Sequence, residues 1–424
     1  MKDSEIRSLI QAEEYRQKHT LRMVASTSQA SDDVREALSS YYTNCYSEGY
    51  PNGQNNPAGF RYYQGQVNTN RLENICIERA RKAFSLPDDW HVNVQSYSGS
   101  PANLATYFAF CKPGDVVVGL GLNSGGHLSH GHKVSITGKL FDVHQFDVDP
   151  ITERIDYDAL EEFCAGLNPN MLIIGTTAYS RVLDWKRISK IANKVGAYFV
   201  ADVAHVAGLI AGGAYPSPIP FADAVTMTTH KTLRGARGAL IFCRNEYAKK
   251  IDRAVFPLLN GGPHMNNIAG IAVALNEATS DEFKDYARQT VKNAKRLADI
   301  LHNVYGFRVI SGGTDSHLLV VDVTSKNIDG KSAAIALEKA GIEVSYSTIP
   351  YDTRPPTRPS GLRLGLSILT TIGMKEDDMI EVAAYINKAI ENHDSDSTLS
   401  EISNSVAKWV NKLHGPHFDT LFEV

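Results

Sequence analysis

Lys231 stands in the run Val225-Thr226-Met227-Thr228-Thr229-His230-Lys231-Thr232-Leu233-Arg234-Gly235, and upstream Asp202 closes the apolar stretch of Phe199-Val200-Ala201-Asp202-Val203-Ala204-His205. An amine and a carboxylate at the ends of two strand-length apolar runs are what an enzyme needs to hold pyridoxal phosphate (PLP). The amine condenses with the aldehyde as a Schiff base. The carboxylate pairs with the pyridinium nitrogen, so that the ring withdraws electrons. A lone Lys among threonines is ordinarily a surface residue; its pairing with Asp202 points to a cofactor anchor.

Other groups supply what such a site would need. Ser98-Gly99-Ser100-Pro101-Ala102-Asn103 precedes an apolar helical stretch, where small residues present backbone N–H groups and hydroxyls to an anion such as a phosphate. Gly125-Gly126-His127-Leu128-Ser129-His130-Gly131 sets an imidazole beside glycines, suited to stacking on a ring. Its two histidines lack nearby carboxylates and make a poor zinc site. Tyr46-Ser47-Glu48-Gly49-Tyr50-Pro51 and Arg61-Tyr62-Tyr63 gather polar aromatics around one carboxylate. These are either a proton-handling group with its tyrosines or a solvated loop. Arg363, in Pro359-Ser360-Gly361-Leu362-Arg363-Leu364-Gly365, is either a bidentate clamp for an amino acid's carboxylate or half of a structural ion pair.

The elements that must position these groups alternate. Apolar runs at 116–119, 171–175, 198–201, 222–225 and 239–242 read as strands, and helical spacing appears at 4–17, 32–42, 71–86 and 187–195. Such alternation predicts a mostly parallel sheet covered by helices, with ligand groups at the carboxyl ends of strands. A long helix over 281–303, an apolar run at 318–323, a helix near 331–340 and a last helix over 375–392 predict a smaller α/β domain. The division expected is 1–280 for an N-terminal arm and large domain, and 281–424 for the small domain. The stretch 51–59 reads as a loop-rich insertion.

Composition agrees with a large globular enzyme. The 424 residues are 43% hydrophobic and 21% charged, with a formal charge of −4 that offers no basic excess for nucleic acid or an anionic membrane surface. Five cysteines, Cys45, Cys76, Cys111, Cys164 and Cys243, lack metal-ligand spacing and read as reduced thiols. An early acidic N-terminus without an apolar core or Arg-rich pattern, and the lack of a bilayer-length apolar run, make the cytoplasm the expected location.

The motifs from Asn44 to Pro51, Gly125 to Gly131, Asp202 to Gly212, Thr228 to Gly235 and Ser311 to His317, followed in order by Arg363, together resemble the serine hydroxymethyltransferases across nearly the whole chain. The resemblance implies a fold type I PLP enzyme with a mostly parallel seven-stranded sheet. Such an enzyme passes the hydroxymethyl group of serine to tetrahydrofolate and leaves glycine. It implies Lys231 as the Schiff-base lysine, Asp202 as the pyridinium partner, His127 on the ring face, and Ser98, Gly99, Ser100 and Asn103 at the phosphate side. Thr177 and His205 would contact the ring region, and Thr228 and His230 would assist beside the lysine. Tyr46, Tyr63, Arg363 and Ser31 would surround the substrate, Glu48 would manage protons on the substrate hydroxyl or folate, and Leu122, Leu128 and Ser347 complete the substrate set. Gly261 and Gly262 would be lent to a neighbour's phosphate site, which implies a homodimer with shared active sites, possibly a tetramer.

The chain departs from the family's usual pattern in places. Ala25-Ser26-Thr27-Ser28 replaces Ala-Ser-Glu-Asn, the segment from Asn52 to Gly59 stretches the link to the tyrosines, and Gln64-Gly65-Gln66-Val67 follows them. Ser347 stands where an asparagine is usual, and the segment 367–373 lacks the usual Arg before Gly. Hydroxymethyl transfer is the leading reading. Beside it stand a folate-independent threonine-type aldolase or transaldolase, a hydroxymethyltransferase for an α-substituted serine, and a non-catalytic PLP-binding relative.

Overall fold

The computed structural model describes residues 2–52 and 59–414. Most of the insertion expected at 51–59 therefore lies outside the described residues. The chain forms two compact units, 28–288 and 1–27 together with 289–424. This differs from a division at 280/281 in two ways. The observed boundary falls at 288/289, inside helix Asp281–Asn303, and the N-terminal residues join the C-terminal unit because strand β1 (Leu21–Arg22) pairs in parallel with β11 (Ile342–Glu343). A pairing between residues more than 300 positions apart leaves no periodic trace in sequence.

The larger unit is built on seven strands, β2 (Trp90–Asn93), β3 (Val116–Leu120), β4 (Asp142–Phe146), β5 (Met171–Gly175), β6 (Tyr198–Asp202), β7 (Ala224–Thr228) and β8 (Ala239–Arg244). Their order is β2-β8-β7-β6-β5-β3-β4. The pairs from β4 through β3, β5 and β6 to β7 are parallel, while β8 is antiparallel to both β7 and β2. Strands β5 and β7 are buried at every position. That is why β5 reads as an unbroken apolar run, while β7 buries Thr226 and Thr228 among its apolar residues. Helix Gly99–Phe110 packs Ala102, Ala105 and Tyr107 into the core formed with Val117, Met171, Ile173, Val200 and Ile241. β2 and β4 escape the sequence reading because polar residues such as His91, Asn93, His144 and Gln145 interrupt them.

The smaller unit carries β9 (Arg308–Val309), β10 (Leu318–Asp322), β12 (Ser345–Ser347) and β13 (Gly361–Gly365) in an antiparallel sheet ordered β12-β13-β10-β9. Its core joins Leu297, Leu301, Leu319, Leu337, Leu364 and Ile386. The last helix is not the one expected at 375–392. That stretch forms helix Asp378–Glu391, and a further helix, Asp396–His414, follows it. Leu399, Ile402, Val406 and Val410 give the added helix a buried stripe, but the serines and asparagine between them have poor helix propensity and dilute the signal. All five cysteines are unbridged, and no described helix is long and apolar enough to cross a membrane.

Candidate active site

The order of the sheet turns between β3 and β5, and beyond the carboxyl ends of β5, β6 and β7 lies a cavity of about 200 Å³. Thr176 and Thr177 follow β5, Asp202 ends β6 and is followed by Ala204, and Thr228, His230 and Lys231 come from the end of β7. Ser98, Gly99, Ser100 and Asn103 enter from the start of helix Gly99–Phe110, with His127 and Arg237 completing the wall. One cavity thus brings together Lys231, Asp202, Ser98, Gly99, Ser100, Asn103, His127, Thr177, Thr228 and His230. Sequence reasoning missed Thr176, Ala204 and Arg237. Arg237 follows the lysine motif by two residues and carries no signal beyond its charge.

Asp202 is 8% exposed and its carboxylate is heavily used. Oδ2 accepts from Asn103 Nδ2 (2.7 Å) and His130 Nε2 (2.9 Å), and Oδ1 accepts from the Ala204 N–H (2.9 Å). Burial alone would raise this carboxyl, but the His130 hydrogen bond and charge, the Asn103 amide and nearby His127 outweigh it and hold Asp202 well below the usual carboxylate range. A carboxylate has about four lone-pair sites, and beside these three donors from the described residues Asp202 can accept from a cationic ring N–H in the cavity.

The same network orients His127. Asn103 Nδ2 also donates to Ser129 Oγ (2.8 Å), Thr226 Oγ1 donates to Asn103 Oδ1 (2.6 Å), and Ser129 Oγ meets His127 Nδ1 at 2.7 Å. The Ser129 N–H also donates to His127 Nδ1, and the His127 N–H donates to His130 Nδ1. Both Nδ1 atoms accept backbone N–H groups, which leaves Nε2 as the donating nitrogen, toward Asp202 in the case of His130. Burial, with Arg237 and Lys231 alongside, pushes His230 down to about 4, so its ring is neutral near pH 7. Its Nδ1 has no hydrogen-bond partner among the described residues.

The phosphate side is equally open. Ser98 caps helix Gly99–Phe110 without a side-chain capping bond, and no acidic residue occupies the first turn. By position, the N–H groups of Gly99 and Ser100 have no acceptor within the helix, and the dipole favours an anion there. Lys231 and Arg237 add two cations to a cavity with one carboxylate. These features fit PLP: a phosphate at the helix start, a pyridinium at Asp202, an aldehyde within the cavity of Lys231. A Cβ added at Gly99 would lie 2.7 Å from Thr228 Cγ2, tighter than real Cβ contacts. Gly99→Val is therefore expected to weaken PLP binding to the apoprotein by about tenfold or more, measured by quenching of intrinsic fluorescence in a PLP titration.

The remaining predicted residues lie elsewhere. Tyr46, Glu48, Tyr63, Gly261 and Gly262 form a second group that does not line the Lys231 cavity. Tyr63 Oη donates to Glu48 Oε2 (2.7 Å), and this bond raises the Tyr63 phenol above its ordinary value. Tyr46 packs edge-on to Tyr63 at 5.5 Å, and Tyr97 Oη donates to the Gly262 carbonyl (2.9 Å). A Cβ at Gly262 would sit 3.2 Å from the Tyr46 ring, and one at Gly261 3.4 Å from Glu48 Oε1. His205 is buried but outside the cavity lining, with its carbonyl accepting from Thr232 Oγ1. Ser31 also lies outside it; its hydroxyl caps helix Asp32–Leu38 and donates to Glu277. Leu122 is half-buried and Leu128 is 43% exposed, and neither lines the cavity.

Arg363 and Ser347 belong to the smaller unit. Ser345 is the registered partner of Arg363, so Ser345, Ser347 and Arg363 share one face of the β12–β13 ladder. Burial pushes Arg363 down to about 10, and its Nε donates to Ser345 Oγ at 3.2 Å.

A mostly parallel seven-stranded sheet with a buried lysine and an ionised aspartate converging at its carboxyl edge, beside an open helix start, defines a fold type I PLP enzyme. A family model described as serine hydroxymethyltransferase matches residues 1–386. The chain is 47% identical over 414 residues to a serine hydroxymethyltransferase of Desulfotalea psychrophila, covering 98% of this chain and 95% of that protein. It is also 47% identical over 411 residues to a serine hydroxymethyltransferase of Acidobacterium capsulatum, covering 97% and 94%. The chain belongs to the serine hydroxymethyltransferase family.

Proposed function

We propose that this protein interconverts serine plus tetrahydrofolate with glycine plus 5,10-methylenetetrahydrofolate, using PLP held by Lys231. The observation that carries the reading is the convergence of Lys231, Asp202 and the start of helix Gly99–Phe110 on one cavity, in a chain of this family. When bound, PLP supplies an aldehyde carbon and an electron-withdrawing ring that eases bond breaking at the amino acid's α carbon. Asp202 would keep a proton on the ring nitrogen, His127 would cover the ring face, and Ser98, Gly99, Ser100 and Asn103 would secure the phosphate side. Thr177, Thr228 and His230 line the space around the lysine amine, and neutral His230 can accept a proton there. Arg363 holds the substrate carboxylate, with Ser347 on the same sheet face.

Glu48 moves the proton of the substrate hydroxyl, assisted by Tyr63 and Tyr46. Because Glu48 and Tyr46 pack against Gly261 and Gly262, whatever carries that glycine pair to a partner's cavity carries the carboxylate too. A homodimer with shared sites belongs to this reading; the formal charge of −4, without basic excess, supports an enzyme without nucleic-acid or membrane partners, and the unbridged cysteines are those of a reducing compartment such as the cytoplasm.

Purified holoenzyme should form glycine from serine with strong dependence on tetrahydrofolate. Glu48→Gln is expected to lower kcat by about 10²-fold while leaving PLP bound. Equal turnover with and without tetrahydrofolate would replace this reading with a folate-independent aldolase.

A further inference from the structure

We propose that Arg61 and Gln95 are positioning residues for Glu48, and that through Asn260 the same buried network holds Gly261 and Gly262 in register with that carboxylate. The inference rests on the assignment of Glu48 above and extends it to residues with no place in that mechanism. Arg61 Nη1 donates to the carbonyls of Ser47 (2.7 Å) and Gly49 (2.6 Å), the two residues flanking Glu48. Its Nε donates to Asn70 Oδ1 (2.9 Å), and its Nη2 meets Glu73 Oε2 at 2.5 Å in an ion pair whose side chains are each 2% exposed. Gln95 Nε2 donates to the same Gly49 carbonyl (2.9 Å) and to Glu73 Oε1 (2.8 Å). Asn260, immediately before the glycine pair, donates from Nδ2 to the Gln95 carbonyl (3.0 Å).

The backbone around Glu48 is closed from the other side as well. The Tyr62 N–H donates to the Glu48 carbonyl (3.2 Å), and the Tyr50 N–H donates to that of Phe60 (3.0 Å). Gly49 has φ +93°, and a Cβ there would lie 2.3 Å from the Phe60 carbonyl oxygen, so only glycine lets the two segments meet. The carbonyls of residues 47, 48 and 49 are therefore all captured, which leaves Glu48 little freedom beyond its own side-chain torsions. A buried ion pair is a costly way to fill space. A planar five-donor guanidinium, however, reaches four acceptors at once and lysine cannot. The geometry of the fork, rather than its charge, is what sets the turn.

The test is a double-mutant cycle on the holoenzyme between Arg61→Lys and Glu48→Gln, read as kcat with serine and tetrahydrofolate, with PLP affinity and thermal melting as controls. Arg61→Lys alone is expected to lower kcat by about 10- to 100-fold, the size of effect that misplacing a reacting group by roughly 1 Å produces. PLP affinity should be unchanged. In the Glu48→Gln background Arg61→Lys should lower kcat no further. Losses that multiply in the double variant, or no loss in the single one, would overturn the proposal. If Arg61→Lys fails to fold, Gln95→Met removes one hold on the Gly49 carbonyl, and one on Glu73, while leaving every charged side chain in place. It is expected to show the same non-additivity with Glu48→Gln, and is overturned by the same multiplication. Full activity of Glu48→Gln by itself would instead refute the role given to Glu48.

Discussion

Replacing Lys231 with alanine is expected to remove the pyridoxyl adduct that borohydride reduction leaves on the wild-type chain, and to lower kcat by about 10⁴-fold. The size of the effect follows from the position. Lys231 is 9% exposed and is the lysine of the cavity that also holds Asp202 and the start of helix Gly99–Phe110. Among the described residues no other lysine lines it, so no second amine there can substitute. The local backbone does not depend on the amine. The Arg234 N–H bonds to the Lys231 carbonyl, the Gly235 N–H bonds to that of Thr229, and the Arg234 guanidinium lies 4.4 Å from the centre of the Tyr286 ring. The variant should therefore fold, and still bind PLP non-covalently through the phosphate and ring contacts. Mass spectrometry of borohydride-treated wild-type and variant protein checks the adduct, and persistence of an adduct in Lys231→Ala would move the anchor to another residue.

Asp202→Ala should be nearly as severe, by a different route. With PLP bound, removal of the carboxylate leaves a buried ring cation uncompensated, a loss of about 3–5 kcal/mol. That corresponds to about 150- to 4,000-fold weaker cofactor binding, measured by fluorescence titration of apoprotein. The apoprotein also reports on this group. The folded-state pKa of Asp202 is depressed below its unfolded value, so its contribution to stability is fully present above about pH 4 and is lost as pH falls toward the folded value. Asp202→Asn should be less stable than wild type at neutral pH and should approach it in acid, as read from urea unfolding midpoints between pH 3 and about 7. Parallel stability curves for the two proteins would show that Asp202 is not held ionised by Asn103 and His130.

Much of the central cavity was legible before any coordinates. Asp202 ends β6, a nearly continuous apolar run, Lys231 lies three residues beyond β7, and the start of helix Gly99–Phe110 is announced by its Ser-Gly-Ser-Pro composition. The family resemblance is borne out by the 47% identity to curated relatives. Less legible was the support behind these groups. Asn103 appears in sequence only as part of a helix start, yet it links Asp202, Thr226 and Ser129, partners 26 to 123 residues away. The network that captures Arg61 draws on Glu73, Gln95 and Asn260, none of which stands in a motif.

The sequence by itself determined the chemistry and the class of fold. Residue type, apolar runs and helical period are local properties, and the groups that act at the cavity sit at the ends of locally readable elements. Only the tertiary structure decided which groups share a cavity. It set Tyr46, Glu48, Tyr63, Gly261 and Gly262 together apart from Lys231, and it joined residues 1–27 to the C-terminal unit through the β1–β11 pairing. It also added the final helix, whose serines hide its apolar stripe. The physical reason is common to all three. Hydrogen-bond partners and packed faces are chosen among residues far apart in the chain, by burial and geometry that no short window of sequence contains.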